Sequence, residues 1–234
     1  MIVAIIPARG GSKRIKRKNI KSFLGKPIMA YSIELAFQSK LFDKIIVSTD
    51  DPEIAEIGKK LGADIPFIRP QALSDDYVGT AVVMKHALDC LCHQGEKIDL
   101  ACCIYATAPF IKTEYLKLAY EKLISSRKDY AFSVTHFRFP IQRALKKEGA
   151  EGVQPFFPDW INQRSQDLEE AFHDAGQFYW GRAQAFSDSL PLFGKNSIPI
   201  FLPTYLVQDI DTEEDWMHAE LMYQSMGLNC EVLS

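Results

Sequence analysis

The sequence predicts a three-layer α/β domain built on a mostly parallel sheet. Two features carry that expectation: short continuous apolar runs suited to strands buried on both faces, and stretches at helical spacing that alternate with them. Ile2 to Ala8 is such a run, with no polar alternation. Pro27 suits the first position of a helix whose apolar residues recur through "IMAYSIELAFQS". "KIIVSTDD" supplies a second buried strand, and Asp50 or Asp51 is placed to cap a helix that Pro52 opens and that ends near Gly62. A short strand is expected around Ile65 to Ile68, a helix from about Thr80 to His93, and a strand in "IDLACCIYAT". Another helix starts at Thr113, followed by a strand in "YAFSVTHF". After an irregular stretch, "GQFYWGRAQAF" resumes the core pattern, and "IPIFLPTYLV" supplies strand material. "TEEDWMHAELMYQSMG" makes a last helix, with Thr212 and Asp215 as a capping pair and Gly227 as its stop.

The rhythm breaks between Phe137 and Phe172, where Pro, Gly and aromatic residues appear without a sustained period. A break of this length usually carries function or a partner contact. Phe156, Phe157 and Trp160 would form an apolar patch unless covered, so the expectation is one domain over 1–234 with 137–172 as a dimerisation extension.

Composition narrows the function. The chain has 234 residues, 47% of them hydrophobic, enough for a sizeable core. Its formal net charge is -3 and its pI about 6.0, so the protein as a whole lacks the field of a duplex-binding protein, and no nucleic-acid partner is expected. No signal sequence, lipidation motif or membrane-length apolar run stands out, and the expected location is the cytoplasm, away from membranes. The five cysteines are Cys90, Cys92, Cys102, Cys103 and Cys230. Cys90, Cys92 and His93 look like a metal cluster, but residues two apart on a helix point in different directions, and buried free thiols are the expectation.

Against this acidic background, "IIPARGGSKRIKRKN" follows the first strand, and six of the nine residues from Lys13 to Lys21 are Lys or Arg. A local excess of this kind asks for an anion, and a small phosphorylated ligand suits it better than a polymer. Gly10 and Gly11 would let the backbone approach an oxyanion, Ser12 would donate a hydrogen bond, and Arg9, Lys13 and Lys18 would supply charge. The stretch is neither a P-loop nor a dinucleotide fingerprint, and Lys16, Arg17 and Lys21 are expected to be solvated.

The second informative stretch is "VQDIDTEEDW". At a strand end, Asp209 and Asp211 would share one face while Ile210 enters the core. Two adjacent carboxylates repel unless a cation joins them, and carboxylates plus substrate phosphates are the usual Mg²⁺ ligands. Asp211 alone could equally belong to the cap of the next helix.

Taken in order, "IPARGGSKRIKRKN", "IIVSTDD", "RP" with "LSDD", "YATAPF" and "DIDTEEDW" resemble the cytidylyltransferases that activate nonulosonic sugars, the CMP-sialic acid synthetase family. The resemblance implies a Rossmann-like nucleotidyltransferase fold, CTP and an acidic nine-carbon sugar as substrates, Mg²⁺, and a homodimer formed through the extension. It implies CTP contacts from Ala8, Arg9, Gly10, Gly11, Ser12, Lys18, Asn19, Arg69, Asp76 and Thr107. It places the metal on Asp209 and Asp211, which join Arg9 and Lys18 as the catalytic set. Sugar contacts are implied for Tyr105, Arg164, His173, Asp174, Gln177 and Tyr179, with Arg164 at the sugar or dimer end. The sialic acid branch carries Arg-Pro-Asn-Gly where this chain has His173, Asp174, Ala175 and Gly176, and "HDAGQFYWG" is similar to the pseudaminic acid branch instead. The implied reaction is attack by the sugar's anomeric hydroxyl on the α-phosphorus of CTP, with pyrophosphate leaving. The alternatives are the same chemistry on another acidic sugar, or a non-catalytic nucleotide or RNA binder.

Overall fold

The computed structural model describes residues 1–75 and 77–227. Its elements run β1 (Ile2–Pro7), two-residue β2 (Ser22–Phe23) and β3 (Lys26–Pro27), α1 (Ile28–Ser39), β4 (Lys44–Ser48) and α2 (Pro52–Lys60). They continue as α3 (Thr80–His93), β5 (Leu100–Ile104), α4 (Thr113–Ile124), β6 (Tyr130–His136), β7 (Leu145–Glu148) and β8 (Gly152–Pro155). The chain then forms β9 (Phe172–Arg182), α5 (Ala183–Ser187), β10 (Ser197–Phe201) and α6 (Glu213–Ser225).

Among the described residues the main sheet has six strands in the order β10-β6-β9-β5-β1-β4. All neighbours pair parallel except at β9, which runs antiparallel to both β5 and β6. Strands β1 and β5 are apolar throughout because helices cover both faces: Ile6 and Met29 pack in one core cluster, and Ile5, Met84 and Leu88 in the other. Since β9 alone is reversed, its first half lies at the edge where β1, β4 and β5 end. Residues 173–177 therefore join the loops after those strands, at the edge where ligands bind in open α/β sheets. A register shift between Phe132 and Val134 loosens the β6–β9 ladder there, and the Ser133 hydroxyl accepts from the N–H groups of Gln177 and Phe178.

Several local expectations hold. Asp51 caps α2 by accepting from Ile54 N at 3.0 Å. Thr212 and Asp215 form a reciprocal capping box on α6, and Gly227 takes a φ of 67° just past its end. Others need correction. Pro27 is the residue before α1 rather than its first. No strand forms at Ile65 to Ile68; a single bridge, Ile46 to Asp64, lies just before the segment and goes no further, because Pro66 has no N–H to continue the ladder and Ile68 turns outward. Asp209 and Asp211 lie on irregular backbone rather than at a strand end, although Ile210 between them is buried as expected. Cys102 and Cys103 are buried, but Cys92 is exposed and Cys90 half-buried, since they ride the outer side of α3; Cys230 lies outside the described residues. Segment 137–171 leaves the sheet between β6 and β9 and folds its tip into the β7–β8 hairpin, which among the described residues pairs only with itself.

Candidate active site

Two cavities open at this edge. The first, about 450 Å³, is walled by Arg9, Ser12, Lys13, Arg14, Lys18, Asn19, Arg69, Thr80, Tyr105, Thr107 and Asp211, among others. The second, about 570 Å³, is walled by Tyr105, Thr107, His173, Asp174, Gln177, Tyr179, Gln208, Asp209 and His218, among others. Tyr105 and Thr107 belong to both walls, so the two spaces meet at the end of β5. Asp211 faces the first space and Asp209 the second.

The basic loop is held in place before any ligand binds. Asn19 is buried and its amide donates to Arg9 O at 2.9 Å. Arg17 adopts the left-handed conformation, φ 57°, and its guanidinium grips both oxygens of Asp51 and reaches Glu53. This overturns the expectation of a solvated Arg17: it ties the loop to the start of α2. Lys21 is likewise engaged, bonded to Glu213 and seated over the Trp216 ring, whereas Lys16 is exposed. Lys18 reaches furthest, donating to Ile210 O at 2.7 Å and to Asp211 at 3.2 Å.

Gly10 has a structural role that the sequence did not suggest. The Gly10 N–H donates to Asp50, and a Cβ at Gly10 would lie 2.5 Å from an Asp51 oxygen, so the residue makes room for the α2 cap. Neither Gly10 nor Gly11 is on the cavity wall, and Ala8 is in the core with its N–H bonded to Ser48 O. Asp76 lies outside the described residues.

Arg69 is the most telling cation. Its side chain is 3% exposed, its Nε donates to the Ser74 hydroxyl at 3.0 Å, and its Nη1 is buried without a hydrogen-bond partner. Burial, with the positive charge of Arg9 adding to it, lowers its pKa against the opposing pull of Asp50. A buried guanidinium with an unsatisfied N–H, beside a second arginine, is a site prepared for an anion.

The second cavity offers acceptors. Asp174 takes a hydrogen bond from Tyr179 at 2.5 Å and one from Gly176 N at 2.9 Å. Burial first, then Tyr105 and Asp174, push the Tyr179 hydroxyl far above its ordinary range, so it stays a donor. Tyr105, raised chiefly by burial, bonds Thr80 at 2.7 Å. Gln177 is buried, donates to Leu206 O, and leaves its Oε1 without a partner. Arg164 stands apart: it pairs with Asp167 on the exposed extension and lines neither cavity of its own chain.

Residues that the sequence did not single out complete the walls. Arg14 bonds Asp211 at 2.7 Å; Thr80 extends the tyrosine pair; His136, Arg138, Gln208 and His218 edge the second space. Arg14 carried no signal distinguishing it within the basic run, and His218 comes from a helix whose apolar pattern places it on the outside.

A divalent cation fits the acidic segment. The Asp209 carboxyl is pushed above its usual range by surrounding protein and then by Asp211, a crowding that a cation would relieve. No group of three or more metal-ligating side chains gathers among the described residues, so a cation here would take at most the two carboxylates from the protein, with Asp211 now paired to Arg14 and Lys18. Two carboxylates with phosphate oxygens is the usual donor set for Mg²⁺.

Residues 3–206 match the family described as "Cytidylyltransferase". The chain is 46% identical over 222 residues to a Campylobacter jejuni protein named pseudaminic acid cytidylyltransferase, covering 95% of this chain and 96% of that one. It is 41% identical to a Helicobacter pylori protein combining pseudaminic acid cytidylyltransferase with a UDP-sugar hydrolase, covering 89% of this chain and 40% of the relative. In fold it is similar to a solved CMP:2-keto-3-deoxy-manno-octonic acid synthetase, with a TM-score of 0.70, 15% identity, 96% of this chain and 99% of that chain covered. Among the described residues no helix is long and apolar enough to cross a membrane.

The grip of Arg17 on Asp51 generates a prediction. That hydrogen bond holds the Asp51 carboxyl below its ordinary pKa, so the pair stabilises the fold above the unfolded carboxylate pKa, and the benefit is lost as pH falls through the lower, folded value. Arg17→Ala should cost about 1–3 kcal/mol at neutral pH, and the loss should shrink in acid. Thermal midpoints of the two proteins across an acid titration check this; a constant difference at every pH contradicts it.

Proposed function

This chain belongs to the cytidylyltransferase family, and we propose that it transfers CMP from CTP to the anomeric hydroxyl of pseudaminic acid, releasing pyrophosphate. The observation that carries the reading is the pair of cavities meeting at Tyr105 and Thr107, one lined by five cations and the other by a mixed polar set that includes Asp174, Gln177, Asp209 and Arg138. In this reading Arg9, Lys13, Lys18 and Arg69 receive the triphosphate, and the unpartnered Nη1 of Arg69 gains an acceptor. Asn19 and Ser12 shape the floor, and Thr107 stands at the junction. The sugar occupies the second space, where Asp174 and the Gln177 carbonyl accept from its N–H and O–H groups, and Tyr105, Tyr179 and His173 bound it. Arg138 provides the positive charge that an acidic sugar requires.

Asp209 and Asp211 would hold Mg²⁺, which when bound neutralises charge on the phosphates and orients them. As the anomeric oxygen approaches the α-phosphorus, negative charge grows on the phosphoryl oxygens and on the departing pyrophosphate. Arg9, Lys18 and Arg69 are fixed donors facing that charge, and their pre-set positions are what lower the barrier. Lys18 keeps its bonds to Ile210 O and Asp211 and has a third N–H to give to the phosphates.

The exposed aromatics of the extension, Phe139, Phe156, Phe157 and Trp160, support a homodimer formed through 137–172, with Arg164 at its sugar end. Four free thiols among the described residues suit the reducing cytoplasm, where we place the enzyme.

Pyrophosphate release is the direct test. With CTP, pseudaminic acid should be turned over in preference to N-acetylneuraminic, legionaminic and 3-deoxy-manno-octulosonic acids, and Asp211→Asn should lose on the order of a hundredfold in turnover while folding normally. Equal use of all four sugars refutes the substrate, and near-normal turnover by Asp211→Asn refutes the role of that carboxylate. Sedimentation at micromolar concentration should give a dimer, and Trp160→Glu with Phe156→Glu should give a monomer; a wild-type monomer with full activity contradicts the role of the extension.

A further inference from the structure

We propose that His218 is the base that takes the proton from the anomeric hydroxyl, a role that rests on the reaction proposed above. A chain of hydrogen bonds decides which of its nitrogens is available. The Gln208 side chain donates through Nε2 to the backbone oxygen of Asp209 at 2.8 Å, so its amide oxygen is the end left for His218. That oxygen lies 3.1 Å from His218 Nδ1. An amide oxygen only accepts, so Nδ1 carries the hydrogen and the neutral ring keeps its lone pair on Nε2. The result is a base oriented by a second side chain, which is in turn anchored beside a proposed metal-holding residue.

Position separates His218 from its neighbours. It lines the sugar-side cavity with Gln208 and Asp209, next to the segment whose other carboxylate, Asp211, faces the phosphate side. His173 lines the same cavity, but its ring packs on Phe137 at the extension end. His136 faces Glu170 and stacks on Phe201. The remaining charged groups on this wall are Asp174, Asp209 and Arg138, and Glu214 and Asp215 precede His218 on its own helix. In the step, the hydroxyl proton moves to Nε2 as the oxygen bonds the α-phosphorus. The bond from phosphorus to the bridging oxygen breaks, its electron pair leaves with pyrophosphate, and the imidazolium then returns its proton to water.

His218 is exposed, so replacing it leaves the fold intact. On whichever acidic sugar the wild type uses, His218→Gln should lose about a hundredfold or more in kcat with KM for CTP unchanged, and added imidazole should restore part of the turnover of His218→Ala. Independently of turnover, ¹⁵N NMR of the ligand-free protein should show the His218 ring as the Nδ1–H tautomer, and Gln208→Met should abolish that preference. Turnover of His218→Gln within about threefold of wild type, or an Nε2–H ring in the wild type, overturns the proposal and leaves cytidylyl transfer standing. A wild type that releases no pyrophosphate with any acidic sugar overturns the reaction, and this proposal with it.

Discussion

The ammonium of Lys18 joins two parts of the chain that are 192 residues apart, and the site depends on that bond. Its hydrogen bonds to Ile210 O and Asp211 draw the loop after β1 against the irregular segment before α6. Neither partner has sheet hydrogen bonds to fix it. The loop lies outside the ladder, and 207–211 forms no strand. Burial of Ile15 and Ile210 in one cluster with Phe23 and Trp216 supplies the apolar half of the same junction. Charge and packing thus act at one place, which matters because an exposed ion pair alone would be worth well under 1 kcal/mol.

The junction leaves the site charged in a directed way. Cations on the loop meet carboxylates on the acidic segment and on α2, so the ligand-free chain tolerates a dense basic run in an acidic protein. Arg69 is the exception. Buried beside Arg9 and only weakly opposed by Asp50 at 3.9 Å, it keeps one N–H unsatisfied. Holding an unsatisfied buried donor costs about 1–3 kcal/mol, a cost that an arriving anion would remove. Across the junction at Tyr105, the wall changes from a dense set of cations to a mixed polar set with a single arginine, which sorts a triphosphate from a sugar.

Much of the fold was legible because buried parallel strands carry continuous apolar runs: β1 and β5 are apolar throughout and β4 has Ile45 to Val47 at its centre, so they need no context beyond their own residues. The direction of β9 was not, since periodicity records which face is buried and not which way the strand runs. Yet that reversal brings His173, Asp174 and Gln177 to the ligand edge. The segment at Ile65 to Ile68 reads as a strand by composition and fails at Pro66. In the site, Lys18, Asn19 and Arg69 were named from the sequence and its family resemblance, and they stand on the wall of the first cavity. Roles fixed by distant partners were not: Arg17 looks like a spare cation until Asp51 is placed beside it, Gly10 looks like a phosphate cradle until the α2 cap fills its space, and His218 sits on a helix face that reads as solvent.

The account stands on the claim that the basic cavity is a triphosphate site organised around Arg69. A crystal structure of the chain with CTP tests it most directly. The account predicts phosphate oxygens within hydrogen-bond distance of Arg69 Nη1 and of Arg9, with the α-phosphate at the Tyr105 and Thr107 junction. A nucleotide seated away from Arg69, or phosphates directed away from that junction, would contradict it.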